Sequence, residues 1–361
     1  MPLPPGSTIG IVGGGQLGRM LAVAAAQIGY RTHVFAPEAD AVAIAVANAH
    51  TTAAYDDMMA LNGFANSVDV VTFEFENVPI ETMQHLAEHC PVRPDVLALS
   101  VAQDRVSEKV FAAKCGIPVA QYAEVRSAAD LVDAVASIGC PAIIKTVRDG
   151  YDGKGQASID TPDMADAAWQ AIGAGRAVVE EKINFTEEFS VILVRSLDGQ
   201  ITLWDCPANA HVDGILASSA VPVEKATAAQ MSDAIAHSSQ LAEALDYVGV
   251  LACEFFACAN GRPVLNEFAP RVHNSGHWTI EGSVTSQFEN HIRAICGLPI
   301  GATARTGDRV MMRNIIGGQA NDWLDYLSDP QCHLHLYGKG DGRAGRKMGH
   351  ATWVSAGVSA G

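Results

Sequence analysis

Glu254 and Glu267 carry the first chemical argument. Between them Asn260-Gly261 interrupts two apolar runs, the composition of a two-residue hairpin turn. Counting outward from that turn pairs Cys258 with Pro263 and Glu254 with Glu267. Both would be non-hydrogen-bonded pairs, which spares Pro263 a ladder bond and brings the two glutamate Cβ atoms to about 4.5–5.5 Å. Facing carboxylates repel unless a cation lies between them or one binds a proton. Mg²⁺, which takes one or two carboxylates beside phosphate oxygens, meets that need. The alternative is two exposed glutamates in a slipped register.

The residues after the second glutamate are dense in polar chemistry: Asn266, Glu267, Arg271, His273, Asn274 and His277 fall within one short stretch. Arg271 could fork onto a carbonate or phosphate. His273 and His277 have the spacing of half a metal site, but Pro270 and Gly276 argue against the helix that such a site requires.

Two glycine loops suggest anion binding. Gly13-Gly14-Gly15-Gln16-Leu17-Gly18 matches G-x-G-x-x-G between a strand and a helix, with Glu38 twenty residues beyond Gly18. It could hold a dinucleotide or another phosphate, or simply be a tight turn. In the second loop, Lys145 ends an apolar strand and Gly150-Tyr151-Asp152-Gly153-Lys154-Gly155-Gln156 follows. Glycines interleaved with charge make a flap able to fold over a polyphosphate, and the lysine can neutralise it. A polar hairpin turn is the plainer reading, and no Walker A loop is present.

These residues need a scaffold. Strand and helix signals alternate at 8–12, 17–28, 31–35, 56–65 and 69–75, which predicts a parallel sheet covered by helices. A helix over 103–115 ends at Gly116. Ser127 and Asp130 cap another helix to about Ile138, then strands 142–146 and 177–181 flank a helix opened by Pro162. Strands at 189–195 and 201–206, a helix over 226–245 and the hairpin 250–268 complete the pattern. The predicted class is α/β (α+β) with boundaries near 115 and 184, giving units 1–115, 116–184 and 185–361.

Composition narrows the class. A 361-residue chain that is 48% hydrophobic can bury large cores. A formal charge of −16 disfavours nucleic acid and acidic membranes, so any anionic substrate must be met by local cations. Lys339, Arg343, Arg346 and Lys347 form such a cluster. Eight cysteines without a C-x-x-C pair read as small buried hydrophobes. With no signal-peptide pattern or membrane-length apolar run, a cytoplasmic protein is expected.

Taken in order, residues 13–20 (GGGQLGRM), 72–79 (TFEFENVP), 104–105 (DR), 150–156 (GYDGKGQ), 181–185 (EKINF), 213–216 (DGIL), 266–279 (NEFAPRVHNSGHWT) and 345–350 (GRKMGH) resemble the 5-(carboxyamino)imidazole ribonucleotide synthase family of ATP-grasp ligases. The resemblance implies a three-domain ATP-grasp architecture: a Rossmann-like N-terminal domain, a small lid, and a larger domain with the metal glutamates. It implies that ATP, bicarbonate and 5-aminoimidazole ribonucleotide react through carboxyphosphate, in a homodimer. Arg105, Lys145 and the loop Gly150, Tyr151, Asp152, Gly153, Lys154, Gly155 and Gln156 would contact ATP phosphates. Glu180, Glu181, Lys182 and Ile183 would hold adenine, and Glu188 the ribose with His211 nearby. Asn266 and Glu267 would complete the nucleotide site, with Glu254 and Glu267 on Mg²⁺ or Mn²⁺. Arg271, Asn274 and Lys347 are expected in catalysis. Gln16, Leu17, Glu76, Tyr151, Asp152, Arg271, His273, Arg346 and Lys347 are expected at the ribonucleotide.

Three other readings stay open on sequence. An NAD-dependent dehydrogenase would use only the first glycine motif. Sibling ATP-grasp ligases, such as formate-dependent glycinamide ribonucleotide transformylase or biotin carboxylase, would share the fold. A non-catalytic nucleotide-binding protein would bind Mg-ATP without turnover.

Overall fold

The first hundred residues build a four-stranded parallel sheet in the order β3-β2-β1-β4, from β1 (Thr8–Val12), β2 (Arg31–Ala36), β3 (Ala49–Thr52) and β4 (Val70–Phe73). The central β1 is apolar and buried on both faces, as a helix-covered parallel strand must be. Around it lie α1 (Gln16–Gln27), α2 (Met58–Ala65), α3 (Ile80–Ala87) and α4 (Val96–Ala102). The computed structural model describes residues 2–148, 150, 155–173 and 175–355.

After α5 (Arg105–Lys114) comes a small antiparallel sheet, ordered β5-β8-β6-β7, from β5 (Tyr122–Val125), β6 (Ala142–Thr146), β7 (Gln156–Ile159) and β8 (Ala177–Glu181). Its core is closed by α6 (Ala128–Ile138) and α7 (Ala165–Ile172). The expected cap is in place, with Ser127 Oγ accepting from Asp130 N at 3.1 Å.

The third unit is a nine-stranded sheet formed by β9 (Phe185–Arg195), β10 (Ile201–Leu203), β11 (Ala208–Val212), β12 (Ile215–Val221), β13 (Gly249–Cys258), β14 (Pro263–Ala269), β15 (Arg309–Ile316), β16 (Cys332–Leu336) and β17 (Lys347–Ser355). Alternation along β9 and β13 feeds two cores. Phe189, Val191, Leu193, Leu251, Cys253 and Phe255 pack on the face covered by α8 (Ala228–Ala244). Ile192, Val194, Val250 and Ala252 face a short α9 (Thr279–Gly282), α10 (Gln287–Ile295) and α1 of the first unit.

The β13–β14 hairpin pairs Glu254 with Glu267 as expected, but its turn differs. Cys258 N donates to Arg262 O and Gly261 takes φ 84°, so the loop has one residue more than a two-residue turn and Ala257, not Cys258, faces Pro263. A bulge at Asn266 then shifts the register back before Glu267. Two one-residue offsets cancel. The cysteines also depart from expectation: Cys90, Cys206, Cys253 and Cys296 are buried, while Cys140 is exposed and all eight are free.

One histidine ties the first sheet to the third. Fully buried His291 on α10 accepts from Val250 N at 3.1 Å through Nδ1, so Nε2 carries the proton and meets Thr72 Oγ1 at 2.9 Å. Burial pushes its pKa down to about 3. Between that value and its ordinary 6.5 the unfolded chain binds the extra proton, so this group's contribution weakens as pH falls below 6.5. His291→Gln should be less stable than wild type by roughly 2 kcal/mol at pH 8. Below pH 6.5 that gap should narrow by about 1.4 kcal/mol per pH unit, read from urea unfolding of both proteins.

Candidate active site

The helix α5 sets the geometry. Asp104 Oδ1 caps it by accepting from Val106 N and Ser107 N at 3.1 and 3.0 Å. Residues 105, 108 and 109 then share one face. Arg105 Nη1 donates to Glu267 Oε2 at 2.8 Å, while its Nη2 donates to Gly150 O at 3.1 Å and its backbone N to Val147 O at 3.1 Å. Glu108 Oε1 accepts from Phe268 N at 2.6 Å, and burial pushes its carboxyl up to about 8. Lys109 reaches Glu180 at the end of β8.

Glu254 and Glu267 differ electrically. Burial would raise both. The Arg105 charge and hydrogen bond nevertheless hold Glu267 below the usual carboxylate range. Glu254 is driven up by its burial and by the charges of Glu267 and Glu188. His211 Nδ1 lies 3.0 Å from Glu188 Oε2, and one ligand atom each of Glu188, His211 and Glu254 falls within 4.8 Å of the others. His273 Nε2 lies 3.7 Å from Glu254 Oε1, and its pKa is pushed down to about 3 by burial and then by Arg271 and Lys347. Facing carboxylates, one without a guanidinium partner, form an oxygen donor set that fits a hard divalent cation completed by phosphate oxygens.

A cavity of about 780 Å³ opens beside this pair. It brings together the predicted residues Gln16, Leu17, Glu76, Arg105, Gly150, Glu254, Glu267, Arg271, His273, Asn274, Arg346 and Lys347. Arg271 Nη2 lies 2.8 Å from Glu76 Oε1. Both polar side-chain atoms of Asn274 are buried without a hydrogen-bond partner among the described residues. Lys339 and Arg343 join Arg346 and Lys347 on one wall, so the basic stretch lines the cavity.

Lys145, Glu180, Glu188, His211 and Asn266 lie outside that lining. Lys145 Nζ pairs with Glu180 Oε2 at 3.1 Å. Gly155, at φ 69°, accepts from Thr146 N at 2.7 Å, and Gln156 pairs with Lys145 across β6–β7. Glu181 and Lys182 are exposed and Ile183 is half-buried. Tyr151, Asp152, Gly153 and Lys154 lie outside the described residues. His273 and His277 do not share a helix: a 3-10 turn separates them, and buried His277 packs against Phe288 and His350.

The first glycine motif is occupied by a carboxyl group of the protein's own, whose pKa burial raises. Glu74 follows β4, and its carboxylate accepts from Gly15 N at 2.8 Å and Gly18 N at 3.2 Å at the start of α1. A Cβ on Gly13 or Gly15 would come within 2.8 Å of that side chain, so these glycines make room for a carboxylate. The dinucleotide reading fails here because the pyrophosphate seat is filled. Sequence reading does not reach Glu74, Glu108 or Lys109. The only local signal is the spacing of 108 and 109 from Arg105.

Comparison with known proteins gives the family. Family models match over residues 6–103 (ribonucleotide synthetase preATP-grasp domain), 110–288 (ATP-grasp domain) and 310–360 (phosphoribosylaminoimidazole carboxylase C-terminal domain). N5-carboxyaminoimidazole ribonucleotide synthase of Brucella melitensis is 47% identical over 98% of this chain and 97% of its own length. The chain belongs to the N5-carboxyaminoimidazole ribonucleotide synthase family. A crystal structure of a family member in complex with ADP is 41% identical with a TM-score of 0.95, covering 99% of this chain and 94% of that one. The Aspergillus clavatus member in complex with ADP and 5-aminoimidazole ribonucleotide is 30% identical with a TM-score of 0.89, covering 97% and 94%. The three-unit α/β architecture is thus the ATP-grasp fold of this family.

Glu74→Gln would turn an amide NH₂ toward the N–H donors of the glycine turn. It should lower stability by about 1–3 kcal/mol in urea unfolding. Neither wild type nor the variant should change NADH fluorescence.

Proposed function

We propose that the chain carboxylates 5-aminoimidazole ribonucleotide with ATP and bicarbonate, giving 5-(carboxyamino)imidazole ribonucleotide, ADP and phosphate in purine biosynthesis. The observation that carries this is a single cavity joining Arg105 and the paired glutamates to Arg271, Asn274 and the basic wall. It accords with the relative solved with ADP and the ribonucleotide together.

Bicarbonate attacks the γ-phosphorus and ADP leaves, yielding carboxyphosphate. This breaks to phosphate and CO₂, which the exocyclic amine of the ribonucleotide captures. The demands on the protein are charge neutralisation, orientation and exclusion of water. Arg105, Lys145 and the loop from Gly150 to Gln156 take the phosphates, Glu180 to Ile183 adenine, and Glu188 the ribose beside His211. Glu254 and Glu267 would hold Mg²⁺ or Mn²⁺, with Asn266 alongside; when bound, the ion supplies charge neutralisation at the polyphosphate. Arg271 offers a planar fork to bicarbonate or carboxyphosphate, and the unpartnered amide of Asn274 can both donate and accept there. Arg346 and Lys347 receive the ribonucleotide phosphate, while Gln16, Leu17, Glu76, Tyr151, Asp152 and His273 contact its ribose and imidazole. We take the enzyme to work as a cytoplasmic homodimer. No described helix is long and apolar enough to cross a membrane.

ADP release in Mg-ATP and bicarbonate should rise strongly on adding 5-aminoimidazole ribonucleotide. No rise from folded, ATP-binding protein, with stimulation by formate and its ribonucleotide acceptor instead, would move the assignment to a sibling ligase. Glu267→Ala should abolish turnover while circular dichroism stays native; near-normal activity would remove the metal role. Lys347→Ala should raise the KM for the ribonucleotide roughly ten- to a hundredfold and leave that for ATP nearly unchanged.

A further inference from the structure

Lys109 has no part in the scheme above, yet it is among the most buried charges in the protein. Its side chain is 2% exposed and its Nζ lies 3.2 Å from Glu180 Oε1. The other oxygen of the same carboxylate, itself 5% exposed, faces Lys145 Nζ at 3.1 Å. One buried carboxylate therefore lies between two lysines, hydrogen-bonded to Lys145 from β6 and in charge contact alone with Lys109 from α5. Arg105, one helical turn before Lys109, adds a third cation nearby.

The arrangement has an energetic consequence. For Lys145 to reach a polyphosphate it must give up some or all of its contact with Glu180. Were Lys145 the sole partner, that step would leave a buried carboxylate unpaired, a state that costs far more than the pair yields. With Lys109 on the other oxygen, Glu180 keeps a counter-ion throughout. The two ammonium groups also repel, so the resting arrangement carries an excess positive charge that an arriving phosphate relieves.

We propose that Lys109 is a positioning residue for polyphosphate binding: it keeps Glu180 ionised and paired, and so frees Lys145 to transfer its ammonium to the nucleotide phosphates. This rests on the reading of Lys145 as a phosphate ligand, and the test separates the two. Displacement of a fluorescent adenine nucleotide measures the affinities of ADP and AMP, both with Mg²⁺, for wild type, Lys109→Met, Lys109→Arg and Lys145→Met. Lys109→Met should weaken ADP by about tenfold or more while AMP changes little, because AMP has no polyphosphate for Lys145 to reach. Lys109→Arg should restore most of the ADP affinity. Equal losses for ADP and AMP, or no loss for ADP, would overturn the proposal and leave Lys109 a purely structural counter-ion. Undiminished ADP affinity in Lys145→Met would instead remove the phosphate role of Lys145. Should Lys109→Met not fold, Lys109→Gln carries the same comparison with the same outcomes.

Discussion

Two carboxylates facing each other on adjacent strands are the constraint on which the site depends. Glu254 and Glu267 are set opposite by the hairpin, where desolvation and mutual repulsion both disfavour the charged forms. The surroundings answer unequally. Arg105 comes from outside the sheet to neutralise Glu267, whereas Glu254 faces the imidazole of His273, which burial keeps neutral. The asymmetry leaves one carboxylate held by a guanidinium and the other beside a neutral imidazole. In a chain of net charge −16, the remaining positive charge must be concentrated where it is used. Arg271 and the stretch from Lys339 to Lys347 do this in the same cavity.

The first unit shows the same electrostatic logic turned inward. A glycine turn at a helix start attracts anions whatever its evolutionary use. Here the Glu74 carboxyl takes that place, and the turn becomes a joint between β4 and α1. The joint holds Gln16 and Leu17 at the mouth of the cavity, beside Glu76 two residues beyond Glu74. A fingerprint legible as a binding motif is therefore a positioning device, and only the third dimension reveals which group fills it.

Legibility follows the locality of the forces. Strands β1, β6 and β8 and the capped helix α6 are readable because apolar runs and Ser127 act within a few residues. Strands β15 to β17 are not, since their sequences mix polar and apolar residues and they exist by virtue of long-range partners; β11 and β12 pair locally across Asp213-Gly214, a hairpin signal that the reading passes over. The pairing of Glu254 with Glu267 is readable for an incomplete reason. The longer loop at Gly261 and the bulge at Asn266 are each invisible in composition, and their offsets cancel. Glu108 and Lys109 lie beyond reach because charged residues on a helix normally face water. Arg105, on the same helix, is reached only through family resemblance.

That last group points to what integrates the three units. The face of α5 that carries Arg105, Glu108 and Lys109 touches β14 of the large sheet and Glu180 of the small one. Asp104 caps the start of that helix with one oxygen. Its other oxygen receives Arg176 from just before β8 at 2.5 Å, with Arg148 at 4.0 Å. Arg176 in turn donates to Glu124 on β5 at 2.7 Å. One carboxylate thus caps the helix that carries Arg105, Glu108 and Lys109 and ties its start to the small sheet. Through Asp104 and its neighbour Arg105, an unbroken run of polar contacts links the small sheet to Glu267 on β14.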